Sequence, residues 1–265
     1  VTASVTRGLG SSIIDVAGTI PLGSTPLERT VSVSDPPRYF LGALRAALAE
    51  AGIEIRGRTR VEPTTAVGTV VIDHQSAPLA EIAQRFMKVS QNLYGEVLLR
   101  VLTASSPAPP LTPASPATPP SSAAPASPAN ARQALADALS ALGVPVGSVQ
   151  GLDGSGLSRR DFATVRAVTT LLLAMAEPDH RLAFRATLHV AGRDGTIATR
   201  FKDGPCVDRL IAKTGSLAHV RALSGYVTSA SGAEYVFAVI ANNYLVPTRE
   251  IDGLVEEALG LVCAS

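Results

Sequence analysis

The sequence predicts an α+β fold in which an antiparallel sheet is flanked by helices. Two observations carry this. Apolar residues recur at helical spacing through much of the first part of the chain. The last quarter then holds three short apolar runs, 209–213, 222–229 and 235–241, joined by glycine-containing turns and followed by a helical pattern at 248–262. Closely spaced strands with short turns between them suit an antiparallel meander.

Taken in order, residues 12–20 and 30–34 read as short strands. Residues 36–51 carry a helical pattern that stops at Gly52, a C-cap residue. The run 53–62 alternates as an edge strand does, and 69–72 reads as a buried strand. Residues 78–88 form an amphipathic helix with Pro78 near its first turn. An Ala/Leu helix over 131–142 closes at Gly143. A long helix is expected over 158–177, opened by Ser158 and Asp161 as a capping box would open it.

The chain has 265 residues, enough for one large domain or two smaller ones, and 46 % of them are hydrophobic, which suits a globular core. A formal net charge of +1 gives no reason to expect a nucleic-acid partner or an anionic membrane surface. No apolar stretch approaches the roughly 20 residues of a membrane span. No secretion signal opens the chain and no initiator Met starts it, as expected of a mature or truncated product. Residues 104–130 are almost wholly Ala, Pro, Ser and Thr. Such a tract cannot bury a core and reads as a polyproline-like or disordered surface loop between two helices. Cys206 and Cys263 have no metal-ligand spacing; they are either one disulfide or two buried thiols.

Three stretches could carry chemistry. Lys213-Thr214-Gly215, followed by Ser216, ends a predicted strand. A cation and hydroxyls there could hold the carboxylate of a peptide, Gly215 would let substrate backbone lie close, and the Ser216 amide could face an oxyanion. The same residues also read as a strand running into a polar turn. Ser90-Gln91-Asn92 sits between two helical patterns, so a serine hydroxyl and an asparagine amide could open into one cleft; either could instead cap the next helix. Asp153 to Arg159 holds Ser155 between two glycines. Its spacing departs from Gly-x-Ser-x-Gly and no strong strand precedes it, so it reads as a structured loop near the site, with Ser155 a poor nucleophile.

Serine β-lactamases and penicillin-binding proteins carry Ser-x-x-Lys, a Ser-x-Asn-type motif and Lys-Thr-Gly in that order. The second and third are present here. Together with 153–159, 191–196, Arg200-Phe201, 213–217, 222–227 and 29–40, they make the chain resemble the D-alanyl-D-alanine carboxypeptidase/endopeptidase family, the low-molecular-mass class C penicillin-binding proteins. The resemblance implies a β-lactamase/transpeptidase-like fold over 69–265, interrupted by the 104–130 tract, with 1–68 the remnant of an accessory inserted domain. It implies catalytic roles for Ser90, Asn92 and Lys213 and substrate binding by Thr214, Gly215 and Ser216. It implies peptidoglycan stem peptides as substrate, β-lactams as inhibitors, an extracytoplasmic or periplasmic setting, and no metal or organic cofactor.

One departure matters. The three lysines, Lys88, Lys202 and Lys213, are preceded three residues earlier by Arg85, Thr199 and Leu210, so the chain has no Ser-x-x-Lys. The expectation is a C-terminal part that begins after the nucleophile. Alternatives are a β-lactamase or esterase on the same scaffold and a non-catalytic peptidoglycan-binding module. His74, His180, His189 and His219 are scattered without ligand spacing; His219, close to the third motif, is given a structural role and Arg221 a minor one in carboxylate binding.

Overall fold

A computed structural model describes residues 2–62, 69, 72–105 and 128–265. The chain divides into two compact units, Val1–His74 and Gln75–Ser265, where the sequence placed a boundary at 68/69.

In the first unit, strands β1 (Ser4–Thr6) and β2 (Asp15–Ala17) pair antiparallel with Val5 opposite Val16. Helix α1 (Pro36–Glu50) starts where Asp35 accepts the Arg38 amide and Pro36 presets the first turn. It stops at Gly52, whose φ of +77° lets the Gly52 and Ile53 amides fold back onto the carbonyls of Ala49 and Leu48. Two expectations fail here. Residues 30–34 form no strand, and neither do 53–62. The latter run follows α1 with its side chains exposed, and the Arg45 guanidinium occupies the carbonyls of Ile55 and Gly57. Among the described residues no strand lies beside it, so its alternation has nothing to pair with. Of the expected strand 69–72, residues 70 and 71 lie outside the described residues, while Thr69 and Ile72 are exposed and belong to no strand.

The second unit opens with α2 (Leu79–Val89) and α3 (Asn92–Ser105), followed by α4 (Pro128–Ala141), which packs on α3. Most of the 104–130 tract lies outside the described residues; its ends belong to α3 and α4. β3 (Val149–Gln150) pairs antiparallel with β4 (Phe162–Ala163), and β4 occupies part of the predicted long helix. Helix α5 (Val165–Ala174) starts only at Thr164, whose side chain accepts the Ala167 amide; Asp161 instead accepts the Leu152 amide. Pro178 then begins a separate helix, α6 (Pro178–Thr187). The expected helix over 158–177 is thus shortened at its start by β4 and ends at Ala174, before Pro178 opens a further element that the sequence did not predict.

Strands β5 (His189–Val190), β6 (Leu210–Leu217), β7 (Val220–Thr228) and β8 (Glu234–Asn242) form one antiparallel sheet in that order, with a 3-10 turn (Gly195–Ile197) between the first two. Helix α7 (Thr248–Ala264) ends the chain. The meander and last helix agree with the sequence. Side chains alternate across the sheet. Leu210, Ala212, Leu223, Val227 and Phe237 pack toward Leu259 of α7, on the side where Cys206 and Cys263 form a disulfide. Tyr226, Ile211 and Val236 pack on the other side against Leu172 and Val168 of α5, Phe184 of α6 and Met87 of α2. The Tyr226 hydroxyl donates to the Leu172 carbonyl at 2.6 Å, so a buried polar group is satisfied. Helices therefore cover both faces of one antiparallel sheet. Among the described residues, no helix is long and apolar enough to cross a membrane.

Candidate active site

β5 pairs only with Ile211 and Ala212 of β6. Among the described residues, Lys213 to Leu217 pair with β7 alone, which leaves the other edge of this stretch open. That edge carries Lys213, Thr214, Gly215 and Ser216.

The turn between α2 and α3 comes to this edge. Ser90, the C-terminal cap of α2, has φ 53° and ψ 51°, a left-handed conformation that costs a non-glycine residue roughly 1–2 kcal/mol. The end of α2 is clamped on three sides. Met87 offers its carbonyl to His189 Nε2 at 2.7 Å. Lys88 Nζ donates to the Leu188 carbonyl and to Asp194 Oδ2, the latter at 2.6 Å. Asp194 in turn accepts the Val190 amide at 2.8 Å. These contacts fix the helix end and turn the next residue toward β6. Lys213 Nζ then donates to Ser90 Oγ at 2.9 Å and to the Thr214 carbonyl at 2.9 Å. Asn92 stands two residues on as the first residue of α3, exposed.

Burial pushes the Lys213 ammonium below its ordinary pKa, so its proton is easier to give up. Since Lys213 donates to Ser90, the proton of the Ser90 hydroxyl is free to point at a third group. Desolvation also lowers the His189 pKa, with Lys213 and Lys88 adding to it against the Met87 bond and Asp194. Burial pushes Asp194 up, but the bonds from Lys88 and the Val190 amide outweigh it and hold the carboxyl below its usual range.

Thr214 Oγ1 lies 2.6 Å from Thr196 Oγ1. Ser216 Oγ accepts from Arg221, its partner across the β6–β7 ladder, and Arg221 is held by Asp252 at 3.0 Å. Arg221 therefore reaches the strand through Ser216. His219, at φ 59° in the β6–β7 turn, bonds the Tyr244 carbonyl through Nδ1 at 2.9 Å.

The loop 153–159 spans from α3 to the β6–β7 turn. Asp153 accepts the amides of Gly156 and Ser158, at 2.6 and 2.8 Å. Glu96 accepts the Ser155 amide at 3.2 Å, and Arg159 donates to the Ala218 carbonyl at 3.1 Å. Gly95 and Gly154 meet backbone to backbone: a Cβ at Gly95 would lie 2.9 Å from the Gly154 carbonyl carbon and closer still to its oxygen. Residues that sequence reasoning did not pick out are Lys88, His189, Asp194 and Thr196. For Asp194 and Thr196 the one signal was the 191–196 stretch, used there only as part of a resemblance.

A strand-borne lysine bridged to a serine at a helix–helix turn, on an antiparallel sheet with helices on both faces, defines a protein of the penicillin-binding, transpeptidase-like fold. Two crystal structures of penicillin binding protein 4 (dacB) from Haemophilus influenzae share that fold. One superposes with TM-score 0.80 at 24 % identity, covering 99 % of this chain and 56 % of that one; the other, complexed with a β-lactam, gives 0.79. The chain belongs to the D-Ala-D-Ala carboxypeptidase 3 (S13) family, whose model matches residues 1–257. It is 29 % identical over 254 residues to a D-alanyl-D-alanine carboxypeptidase of Actinomadura sp. (strain R39), covering 93 % of this chain and 44 % of that protein. It is 28 % identical over 231 residues to D-alanyl-D-alanine carboxypeptidase DacB of Haemophilus influenzae, with 86 % and 45 % covered. It is 30 % identical over 210 residues to carboxypeptidase DacB of Mycolicibacterium smegmatis, with 77 % and 42 % covered. The chain thus spans a little under half the length of these relatives.

Proposed function

We propose that this chain supplies the Ser90/Lys213 side of a serine-type D-Ala-D-Ala carboxypeptidase/endopeptidase site that acts on peptidoglycan stem peptides in an extracytoplasmic compartment. One observation carries the reading: Lys213 Nζ reaches Ser90 Oγ at 2.9 Å across two elements distant in sequence, on an open strand edge. A peptide ending in D-alanine lies along that edge. Its C-terminal carboxylate meets the Lys213 ammonium and the hydroxyls of Thr214 and Ser216. Asn92 orients the substrate amide. The Ser216 amide and the uncluttered backbone at Gly215 shape the oxyanion side. When an acyl acceptor's hydroxyl attacks the D-Ala–D-Ala carbonyl, the new C–O bond replaces the C–N bond, the leaving nitrogen takes the free Ser90 proton, Lys213, its pKa lowered by burial, replenishes Ser90, and the acceptor's proton restores Lys213. No residue of this chain is assigned as nucleophile, since it contains no Ser-x-x-Lys. The Val1–His74 unit is assigned to the accessory region. β-Lactams, whose carboxylate mimics that of the peptide, occupy the same edge.

Titrating an N-acylated D-Ala-D-Ala peptide and its C-terminal amide into the 265-residue chain tests this. Carboxylate-dependent binding is expected for the acid. Equal binding of acid and amide, or none by either, sinks the reading. Fluorescent penicillin, run alongside, separates a covalently acylated chain from a reversible binder.

A further inference from the structure

Ser216 and Arg221 stand opposite each other in the β6–β7 ladder, and the alternation that sets Ala212 and Leu223 against α7 puts both on that same side. One arm of the Arg221 guanidinium donates to Ser216 Oγ; the other donates to Asp252 Oδ2 of α7 at 3.0 Å. Asp252 is held in turn. Its Oδ1 lies 3.3 Å from Arg200 Nη1, and Arg200 Nε donates to Glu256, one turn further along α7, at 2.6 Å. The side chains of Arg200 and Asp252 are only 17 % and 21 % exposed, so this pair is screened less than a surface pair would be. A guanidinium has donors and no acceptor. Ser216 therefore cannot give its proton to Arg221, and among the described residues its hydroxyl bonds nothing else. The proton is left for a ligand at the strand edge, where Ser216 is exposed.

We infer that Asp252 is a positioning residue: by holding Arg221 against Ser216, it presents the Ser216 hydroxyl as a hydrogen-bond donor to the C-terminal carboxylate of the peptide. The cluster supplies direction and not attraction. Arg200 and Arg221 are matched by Asp252 and Glu256, so together they carry no net charge with which to draw an anion. This division makes a prediction of sign. If Arg221 acted on the peptide through its charge, Asp252 would oppose it, and removing Asp252 would tighten binding of the acid. If Arg221 acts by orienting Ser216, removing Asp252 frees the guanidinium and weakens binding. Arg200 keeps Glu256 in that case, so the change falls mainly on Arg221.

The inference rests on the carboxylate-binding reading of the edge, so its test separates the two. An N-acylated D-Ala-D-Ala peptide and its C-terminal amide are titrated into the 265-residue chain, into Asp252→Ala, into Ser216→Ala and into the double variant. Asp252→Ala is expected to weaken binding of the acid about three- to tenfold, the range of one hydrogen bond, and to leave the amide unaffected. In the Ser216→Ala background the same change should make less than about a twofold difference, because the group that Asp252 positions is gone. A general loosening of α7 would instead cost the same in both backgrounds. Arg221→Lys keeps the charge but replaces the two-armed fork by a single ammonium, and it carries the same decision should Asp252→Ala not fold. The same loss for the acid is expected, again absent beside Ser216→Ala. Acid affinity that is unchanged or higher in these variants, or a loss that persists beside Ser216→Ala, overturns the inference and leaves the carboxylate reading standing. Absence of acid-selective binding by the unmodified chain overturns both.

Discussion

Lys213 and Ser90 are 123 residues apart in sequence, yet the ammonium of one donates to the hydroxyl of the other at 2.9 Å. Neither the helix turn nor the strand edge makes a site alone. Lys213→Met removes the cation but keeps the stem length. It is expected to weaken binding of the D-Ala-D-Ala acid peptide by about ten- to a hundredfold, the worth of a hydrogen bond to a charged group. Ser90→Ala should cost less affinity and change stability by no more than about 0.5 kcal/mol, because Ser90 is exposed. Calorimetric titration and thermal unfolding check both. Undiminished affinity in Lys213→Met would remove the lysine from the site.

The Lys88–Asp194 pair predicts a positioning effect without contact with ligand. Lys88 joins the last turn of α2 to the Leu188 carbonyl and to Asp194. Lys88→Met releases that end of the helix, leaves the His189–Met87 bond as the remaining clamp, and lets Ser90 move from Lys213. Peptide affinity should fall several-fold while far-UV circular dichroism is unchanged. Affinity equal to that of the unmodified chain would mean that the end of α2 is held in place without Lys88.

Much of this was legible in the sequence, and the limits have physical causes. The meander and last helix could be read because their apolar periods are local and their turns carry glycine. The Ser90 and Lys213 stretches could be singled out by their combination and order, since each alone also reads as a helix cap or a polar turn. The start of the 158–177 helix was misread because Asp161 accepts the Leu152 amide rather than capping a helix, and β5 at two residues is too short to show a period. His189, Asp194 and Thr196 stayed hidden because their chemistry comes from partners at 87, 88 and 214, which no local pattern reports. The pairing of Cys206 with Cys263 was equally out of reach, since spacing left it open.

The contact between Gly95 and Gly154 predicts an intolerance of side chains. Gly95→Ala places a methyl against the Gly154 backbone, which cannot rotate away as a flexible side chain can. The cost is on the order of 1–3 kcal/mol, as for overpacking. Because α3 begins at Asn92 and Glu96 holds the Ser155 amide, the displacement should also weaken peptide binding. Chemical denaturation and peptide titration together measure it. An unchanged denaturation midpoint would show that the loop yields freely.

Stability should fall toward acid. The folded-state pKa of His189 is below its ordinary 6.5, so as pH drops through 6.5 the unfolded chain takes a proton that the folded chain refuses. Glu234 is held low by the Arg185 hydrogen bond, and Asp194 is low as well; their ordinary values are 4.5 and 3.8. Both stabilise the fold above those values and lose the contribution as pH falls through their folded-state values. Asp161, pushed up by burial, works in the opposite direction near 3.8 and above. Unfolding free energy measured from pH 8 to 4 should therefore decline, beginning near 6.5. His189→Gln should flatten the upper part of that decline and leave the lower part; a decline that starts at the same pH in the variant would exclude His189 as its source.

The Cys206–Cys263 disulfide makes the last prediction, which links stability to the site. It closes a separation of 57 residues and ties α7 to the segment that leads into β6 four residues on, at Leu210. Loop closure of that size restricts the unfolded chain by about 2–4 kcal/mol. Reduction, or the double change Cys206→Ala and Cys263→Ala, should lower the Tm by about 5–15 °C for a unit of this size. The effect should extend to ligand, because the apolar layer holding α7 to the sheet contains Leu210 and Ala212, the residues just before Lys213. Looser packing there frays the strand from its base, and peptide affinity should drop along with Tm. A reductant that leaves both unchanged would show that packing of Leu259, Val255 and Val262 holds α7 without the covalent tie.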